Sequence, residues 1–428
     1  MRRLSDNYSR HVCRWAFLLL CVLPTALVIY SASRVWNVED WELMIAAGLN
    51  LDVEIERVEN PLPGRTILHQ VQLLRGNKLV GRVGRIEWNS LGEQRLNLSG
   101  AALNPSGIEL LRLALGQLDE RYGTVNRTAW HLSSPDLSIE SESEEGSQPT
   151  SLMRLANFEL LSSPQENQSL FLLRLQFAES AESRDYPVEL RISRAVAGGQ
   201  QQCFLRVTEQ TPTWLLATLG CFPKDWDDQL LFRGTIDFRE TGNGATTGQV
   251  EGAVLSNVDL SALQESLGQT LSGRAEVQVP DLAWRDGRVF RADLQVHAAE
   301  GELSRAWLAA LTRINGMRNF LPEAEADAAD LQAFRLFAAR LQLSSGTCRV
   351  SPVTQATAAI CWDAADNPLL AVDQPGYAQA DLEVLARLSL EPRHPELLAD
   401  DQLVELLSLF HLPPDTRSAR QPSGQDLR

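Results

Sequence analysis

A chain of 428 residues with 44% apolar side chains can bury a sizeable core, as two or three domains or as one long repetitive body. Its formal charge is −16; setting aside the five arginines and one aspartate of residues 1–34 leaves 34 basic and 54 acidic side chains, a body at −20. Such a body repels phosphate backbones, which excludes nucleic acid as a partner, and with lysine confined to Lys78 and Lys224 it has few candidates for Schiff-base or P-loop chemistry.

Residues 15–32, WAFLLLCVLPTALVIYSA, carry no charge over eighteen positions. At ~1.5 Å rise per residue they reach roughly 27 Å, close to the hydrocarbon thickness of a bilayer. Arg2, Arg3, Arg10 and Arg14 precede the run. The positive-inside rule then predicts a cytoplasmic stretch at 1–14, a single-pass inner-membrane anchor at 15–33 and a periplasmic body. Ser31 and Ser33 also fit the −3 and −1 positions of a signal-peptidase site, and cleavage there would release a secreted body.

Residues 38–48 have apolar positions at helical spacing and end in Gly48. The period then changes to two: Leu51, Val53 and Ile55 alternate with Asp52, Glu54 and Glu56, a half-buried strand. Strands follow at 65–75, at 79–89 with Ile86 and Trp88 on one face, and in RLNLSG with Leu96 and Leu98, an antiparallel meander. Residues 106–121 read as a helix. The acidic stretch 138–152 is expected as a linker between a β region at 35–137 and a β-rich region at 153–412.

In the second region, strands are predicted at 170–177, 188–193, 202–209, 230–239, 248–260, 272–284 and 287–301. Short helices are expected near 213–219 and 261–271. In the last of these strands Phe290, Ala292, Leu294 and Val296 share one face; Arg291, Asp293, Gln295 and His297 share the other. Residues 302–317 read as a helix. Residues 333–343 fit either a helix or a strand, and GTCRV, QATAAICWD and 381–392 read as closing strands. An amphipathic helix is expected at 394–410, followed by a polar, disordered tail at 413–428.

No constellation for an enzyme is visible. GxSxG, HExxH, GxxxxGK[ST] and GxGxxG are missing in any fitting context, so neither catalytic residues nor a cofactor are expected. The histidines (His11, His69, His131, His297, His394 and His411) are scattered and no CxxC occurs, so no metal site is expected. Cys203 and Cys221, and Cys348 and Cys361, fall as two local pairs. In an oxidising compartment these are candidates for two disulfides, the alternative being four buried thiols.

Two blocks resemble the AsmA-like family of envelope proteins anchored in the bacterial inner membrane. The first is the order of apolar segment, short helix ending in Gly48, LDVEIERVE, Pro63-Gly64 and ILHQVQLL. The second runs from GQVEGAVLSNVDL through LSGRAEVQVPDLAWRDGRVF to AFRLFAARLQLSSGTCRV and QADLEVLARLSLEP. The resemblance implies a mainly β fold with short helices, in which a membrane helix precedes a curved antiparallel sheet folded as a taco-like groove; it makes 333–343 a strand. It further implies a non-enzymatic protein of envelope biogenesis that binds or passes phospholipid. On that reading the groove candidates are Leu51, Val53, Ile55, Ile86, Trp88, Leu96, Leu98, Val277, Val279, Phe290, Leu294 and Val296. Two alternatives stand beside it: the same faces close on each other as an ordinary core, or the body is a lipid-free anchored scaffold for other envelope proteins.

Overall fold

The computed structural model describes residues 38–390, apart from 50, 63, 77, 91–92, 110–128, 142–149, 165–167, 181–185, 196–198, 223–226, 228, 263–270, 322–330, 345, 355–356 and 374–375. The expected anchor at 15–33, most of the helix at 261–271, the helix at 394–410 and the tail lie outside these residues. No described helix is long and apolar enough to cross a membrane. The protein is mainly β. It packs as two compact units, divided at Pro164/Gln165, Arg174/Leu175 and Arg184/Asp185.

The first unit opens with α1 (Val38–Leu49), followed by β1 (Asp52–Leu62), β2 (Arg65–Arg75), β3 (Lys78–Asn89) and β4 (Gln94–Leu103) in the expected antiparallel meander. α1 covers the start of the sheet. Trp41 is buried edge-on against Trp88, with ring centroids 4.8 Å apart, and Glu42 Oε1 accepts the Ile55 N–H at 2.8 Å. That bond gives a strand-edge donor the partner it needs. The meander does not continue. β5 (Trp130–Ser134) and β6 (Leu137–Glu140) both run parallel to β4 and antiparallel to β7 (Ser151–Pro164). A parallel neighbour requires a long crossover, which residues 104–129 supply; 105–109 are helical, and the rest of the helix expected at 106–121 lies outside the described residues. The acidic stretch expected as a linker begins in β6 and ends in β7. Leu137 stands opposite Leu155 and Glu140 opposite Ser151, so the stretch connects two paired strands of one sheet. β8 (Gln168–Phe177) follows; its residues up to Arg174 belong to the second unit and the rest to the first.

The second unit is an antiparallel sheet of long strands. β9 (Val188–Ala195), β10 (Gln201–Pro212), β11 (Leu231–Glu240), β12 (Thr246–Asp259), β13 (Leu271–Arg285) and β14 (Arg288–Ser304) pair in sequence order. β14 also pairs with β16 (Leu331–Ser344). β16 divides its outer edge between β17 (Thr347–Pro352) and β18 (Ala359–Trp362). β17 carries β20 (Ala378–Asp381), β18 carries β19 (Pro368–Val372), and β19 carries β15 (Met317–Asn319). α2 (Thr213–Thr218) follows β10, α3 (Arg305–Leu311) follows β14, and α4 (Leu382–Leu390) follows β20. A buried cluster around Leu303, Leu308, Leu311, Ile360, Leu370 and Leu382 joins α3 and α4 to the sheet.

Two expectations are corrected here, for 302–317 and 381–392, and one left open, for 333–343, is resolved. Residues 302–317 are not one helix: Gly301–Ser304 still pair with β16, so the helix starts at Arg305 with Ser304 as its cap, and Gly316 at φ +90° turns the chain into β15. Residues 333–343 are strand. Residues 382–390 are helix, not strand: Leu382, Val384, Ala386, Leu388 and Leu390 recur at period two in the sequence, but Leu382 and Leu385 meet the core at helical spacing, and Glu383 and Arg387 pair one turn apart at 3.3 Å.

The alternation survives two bulges that are matched. β12 carries one extra residue against β11 between Glu251 and Val254, and β13 carries one extra against β14 between Gln278 and Asp281. At this level the register between β12 and β13 is unbroken, Glu251 opposite Asp281 and Ala253 opposite Val279, so both strands change phase together. Gly252, at φ +58°, and Pro280 lie at this level, where a bulge tolerates both. On β11, Gly234 faces the bulge at φ +148°; a Cβ there would stand 2.5 Å from the Ala253 Cα. Gly234→Ala is expected to cost about 2 kcal/mol or more, read as a lower urea midpoint in tryptophan fluorescence.

Candidate functional site

Cross-strand register turns the alternation into two rows. Leu190, Leu205, Ile236, Val250, Leu282, Ala292, Leu343, Cys348 and Ala380 stand directly opposite one another across β9, β10, β11, β12, β13, β14, β16, β17 and β20. One residue along, on the other face, the same strands align Glu189, Arg206, Thr235, Glu251, Asp281, Asp293, Gln342, Arg349 and Gln379. The first row has no charge and the second no aliphatic side chain. Opposite side chains in a pleated sheet lie ~5 Å apart, so each row forms a continuous band.

The apolar band is unevenly covered. β10 and β14 run the same way and lead into α2 and α3, so the helices lie at one end of the strands; the turns 241–245 and 286–287 lie at the other. At the helix end Val207, Phe232, Ala275 and Ala298 are buried. Towards the turns Ile236, Phe238, Val250, Leu282 and Trp284 are only half-buried. Phe238 and Trp284 stack at 6.5 Å across β12. Gly248 stands between them because a Cβ there would come within 1.9 Å of the Trp284 ring.

The residues expected to line a groove fall into two groups. In the first unit Leu51, Val53, Ile55 and Leu98 are buried, while Ile86, Trp88 and Leu96 are half-buried, with Ile86 opposite Leu98 and Trp88 opposite Leu96. In the second unit Val277 and Val296 are directly opposite and half-buried, Leu294 is half-buried opposite Leu341, and Val279 is buried beside the bulge. Phe290 leaves the apolar face expected of it: β14 has a bulge between Val289 and Arg291, and the ring, 38% exposed, lies 5.9 Å beneath the Arg285 guanidinium. Leu190, Leu205, Ile236 and Leu343 were not among the expected lining residues. Their own period-two spacing marks them, but the strand order needed to join them comes from the fold.

The polar face is held by ion pairs. Arg340 grips Asp293 through two hydrogen bonds, one of 2.8 Å from Nε, and Gln342 Nε2 adds a third donor. The Arg340 hydrogen bond holds the Asp293 carboxyl below the usual carboxylate range. Arg291 pairs with Asp281, and Arg174 and Arg191 with Glu189. Among the described residues no group of three or more His, Cys, Asp and Glu side chains is placed to hold a metal ion.

The expected disulfides are not formed: none of Cys203, Cys221, Cys348 and Cys361 is cross-linked. Geometry explains why. Cys348 lies opposite Leu343 and Cys361 opposite Phe337 on the same edge of β16. Six residues of strand separate them by about 20 Å, against the ~6 Å a disulfide requires. Likewise Cys203 lies opposite Phe238, whereas Cys221 adjoins Phe222, which packs on Phe232 six residues away along β11. Burial pushes the thiols of Cys203 and Cys348 up to about 11 and that of Cys361 to about 12; Asp237 adds to the effect at Cys203. Comparison with known protein families, with curated proteins and with solved structures finds no match.

Two outcomes follow. In the native protein at pH 8, Cys348 and Cys361 should resist iodoacetamide and be alkylated in urea without added reductant, as read by peptide mass spectrometry; a need for reductant would show a disulfide. Asp293→Asn should cost about 0.5 kcal/mol near neutral pH, the scale of a solvent-screened pair. Because the folded carboxyl titrates below its unfolded value, that contribution is present above the unfolded value and lost as pH falls through the folded one. The stability difference between the two proteins should therefore vanish on acidification.

Proposed function

We propose that the second unit binds the acyl chains of phospholipid along its half-buried apolar band, and that the protein is a non-enzymatic, AsmA-like component of envelope biogenesis. The observation that carries the reading is the in-register row from Leu190 to Ala380, uncharged over nine strands and left half-open at Ile236, Val250, Leu282 and Leu343. Apolar side chains that their own core leaves half-exposed gain free energy when an oily partner covers them, by ~0.8 kcal/mol per CH₂ buried. Within that row Leu190, Leu205, Ala292 and Cys348 are buried, so the half-open run crosses β11 to β13, roughly 10 Å at ~4.8 Å per strand, with Leu343 of β16 beyond it. A run of that length covers part of one tail. Sliding along aliphatics needs no directional chemistry, in keeping with a sequence that offers no catalytic constellation.

On this reading a curved, taco-like sheet presents the band, residues 15–32 anchor the chain in the inner membrane with the N-terminus cytoplasmic, and the body stands in the periplasm. The resemblance of the sequence to AsmA-like proteins supports this placement.

The test is lipid extraction from full-length protein purified in a mild detergent. Phospholipid should co-purify near stoichiometrically. Ile236→Asp with Leu282→Asp should lower it at least tenfold, since a carboxylate in the band must be desolvated when a tail covers it. Arg206→Ala, on the polar face, should leave it unchanged. Lipid-free wild-type protein that crosslinks to one envelope protein would replace this reading with the scaffold.

A further inference from the structure

We propose that Asn243, in the β11–β12 turn, is a site of covalent modification: it deamidates through a succinimide to isoaspartate and aspartate. The chemistry is independent of lipid binding.

The chain has two Asn-Gly pairs, Asn243-Gly244 and Asn315-Gly316. A following glycine leaves its peptide nitrogen open to the asparagine side chain, because no Cβ screens it. Both asparagines are exposed. Their sequence makes the two equivalent; their settings do not.

Asn243 occupies the turn that joins β11 to β12, with Gly242 before it and Gly244 after it. Residues 241–244 are all exposed, and a Cβ at Gly244 would meet no atom within 4 Å. Asn243 Oδ1 accepts the Ala245 N–H at 3.2 Å and the Thr241 hydroxyl. A side chain bonded to the N–H two residues on is folded over the peptide between them, here that of Gly244. Its Cγ is thereby brought toward the Gly244 nitrogen. The same two donors polarise the Cγ carbonyl and stand where negative charge develops on its oxygen during attack. The Gly244 N–H donates to Thr241 O at 2.8 Å, and attack requires that this bond open. An exposed loop tip with glycine on both sides opens at small cost.

Asn315 lacks this arrangement. Among the described residues its side chain makes no hydrogen bond. Its carbonyl accepts the Gln379 N–H at 3.2 Å, and the Gly316 carbonyl accepts the Asp373 N–H at 2.8 Å. The peptides on both sides of Gly316 are therefore tied to neighbouring segments.

The Gly244 nitrogen, having lost its proton, attacks Asn243 Cγ. The N–Cγ bond forms, the Cγ–Nδ2 bond breaks, and Nδ2 leaves as ammonia with the proton. Water then opens the ring. Breaking the N–Cγ bond gives aspartate; breaking the bond to the backbone carbonyl carbon routes the chain through Cγ and gives isoaspartate. Nothing is oxidised or reduced. Either product places a carboxylate two residue pairs beyond Phe238 and Gly248, at the less covered end of the band, and isoaspartate also lengthens the backbone of the turn.

Full-length protein in mild detergent is incubated at pH 6 and at pH 8, and at pH 8 in urea. Peptide mass spectrometry quantifies deamidation at each asparagine, and electron-transfer fragmentation separates isoaspartate from aspartate. In the folded protein Asn243 should convert roughly tenfold faster than Asn315, since only its carbonyl is held over the attacking nitrogen. Conversion should be faster at pH 8 than at pH 6, because that nitrogen must lose its proton. In urea the two rates should converge, since the unfolded chain keeps only the shared Asn-Gly sequence. Asn243 left intact in the folded protein, or converting no faster than Asn315, overturns the proposal. Aspartate without isoaspartate excludes the succinimide and overturns it as well.

Discussion

The second unit depends on one constraint: nine strands must keep their two-residue alternation in phase. A slip of one residue in any strand would place a charged side chain in the apolar band and an aliphatic one among the charges. Glu251, Asp281 and Asp293 stand one residue from Val250, Leu282 and Ala292, so the penalty for a slip is immediate. The matched bulges of β12 and β13 show how the constraint is met. Each alone would reverse the faces for the strands beyond it; together they lengthen two neighbouring strands and restore the phase at β14.

Sheets of this kind need one face buried and one wet, and the polar face is supplied with partners. Arg340 on Asp293 and Arg291 on Asp281 tie neighbouring strands through side chains as well as backbone. These pairs are solvent-screened and individually weak. Their value lies in register, because each is satisfied only when its two strands are correctly offset. The apolar face is finished differently at its two ends. Short helices close one, with Leu215, Leu216 and Leu308 buried beneath them, and hairpin turns leave the other less covered.

The first unit shows what the same alternation does under a cover. Leu51, Val53 and Ile55 are as regular in period as any strand of the second unit, yet they are buried, and α1 packs against β1 with Trp41 buried beneath it. Availability to a ligand is therefore a property of what packs on a strand, not of the strand itself. The thiols follow the same logic. Cys348 and Cys361 serve as small apolar residues of the core, where desolvation disfavours the thiolate that oxidation requires.

Most strands were legible in the amino-acid sequence, because an apolar residue at every second position is a local signal that needs no partner: Val53 and Ile55, Val277 and Val279, Leu294 and Val296 all announce their strands. Where two periods fit equally, as in 333–343 and 382–390, neighbours decided: β14 offered an edge to the first, and the core of α3 offered a surface to the second. Which strands lie side by side, and hence that Leu190 belongs to the same row as Leu343, could not be read locally, since the two are joined only through six successive cross-strand pairings. The bulge that expels Phe290, the 20 Å that separates Cys348 from Cys361, and the covering of Leu51 but not of Leu282 are likewise tertiary. Each is set by the distance and packing between elements, while the sequence by itself determines only the spacing within one.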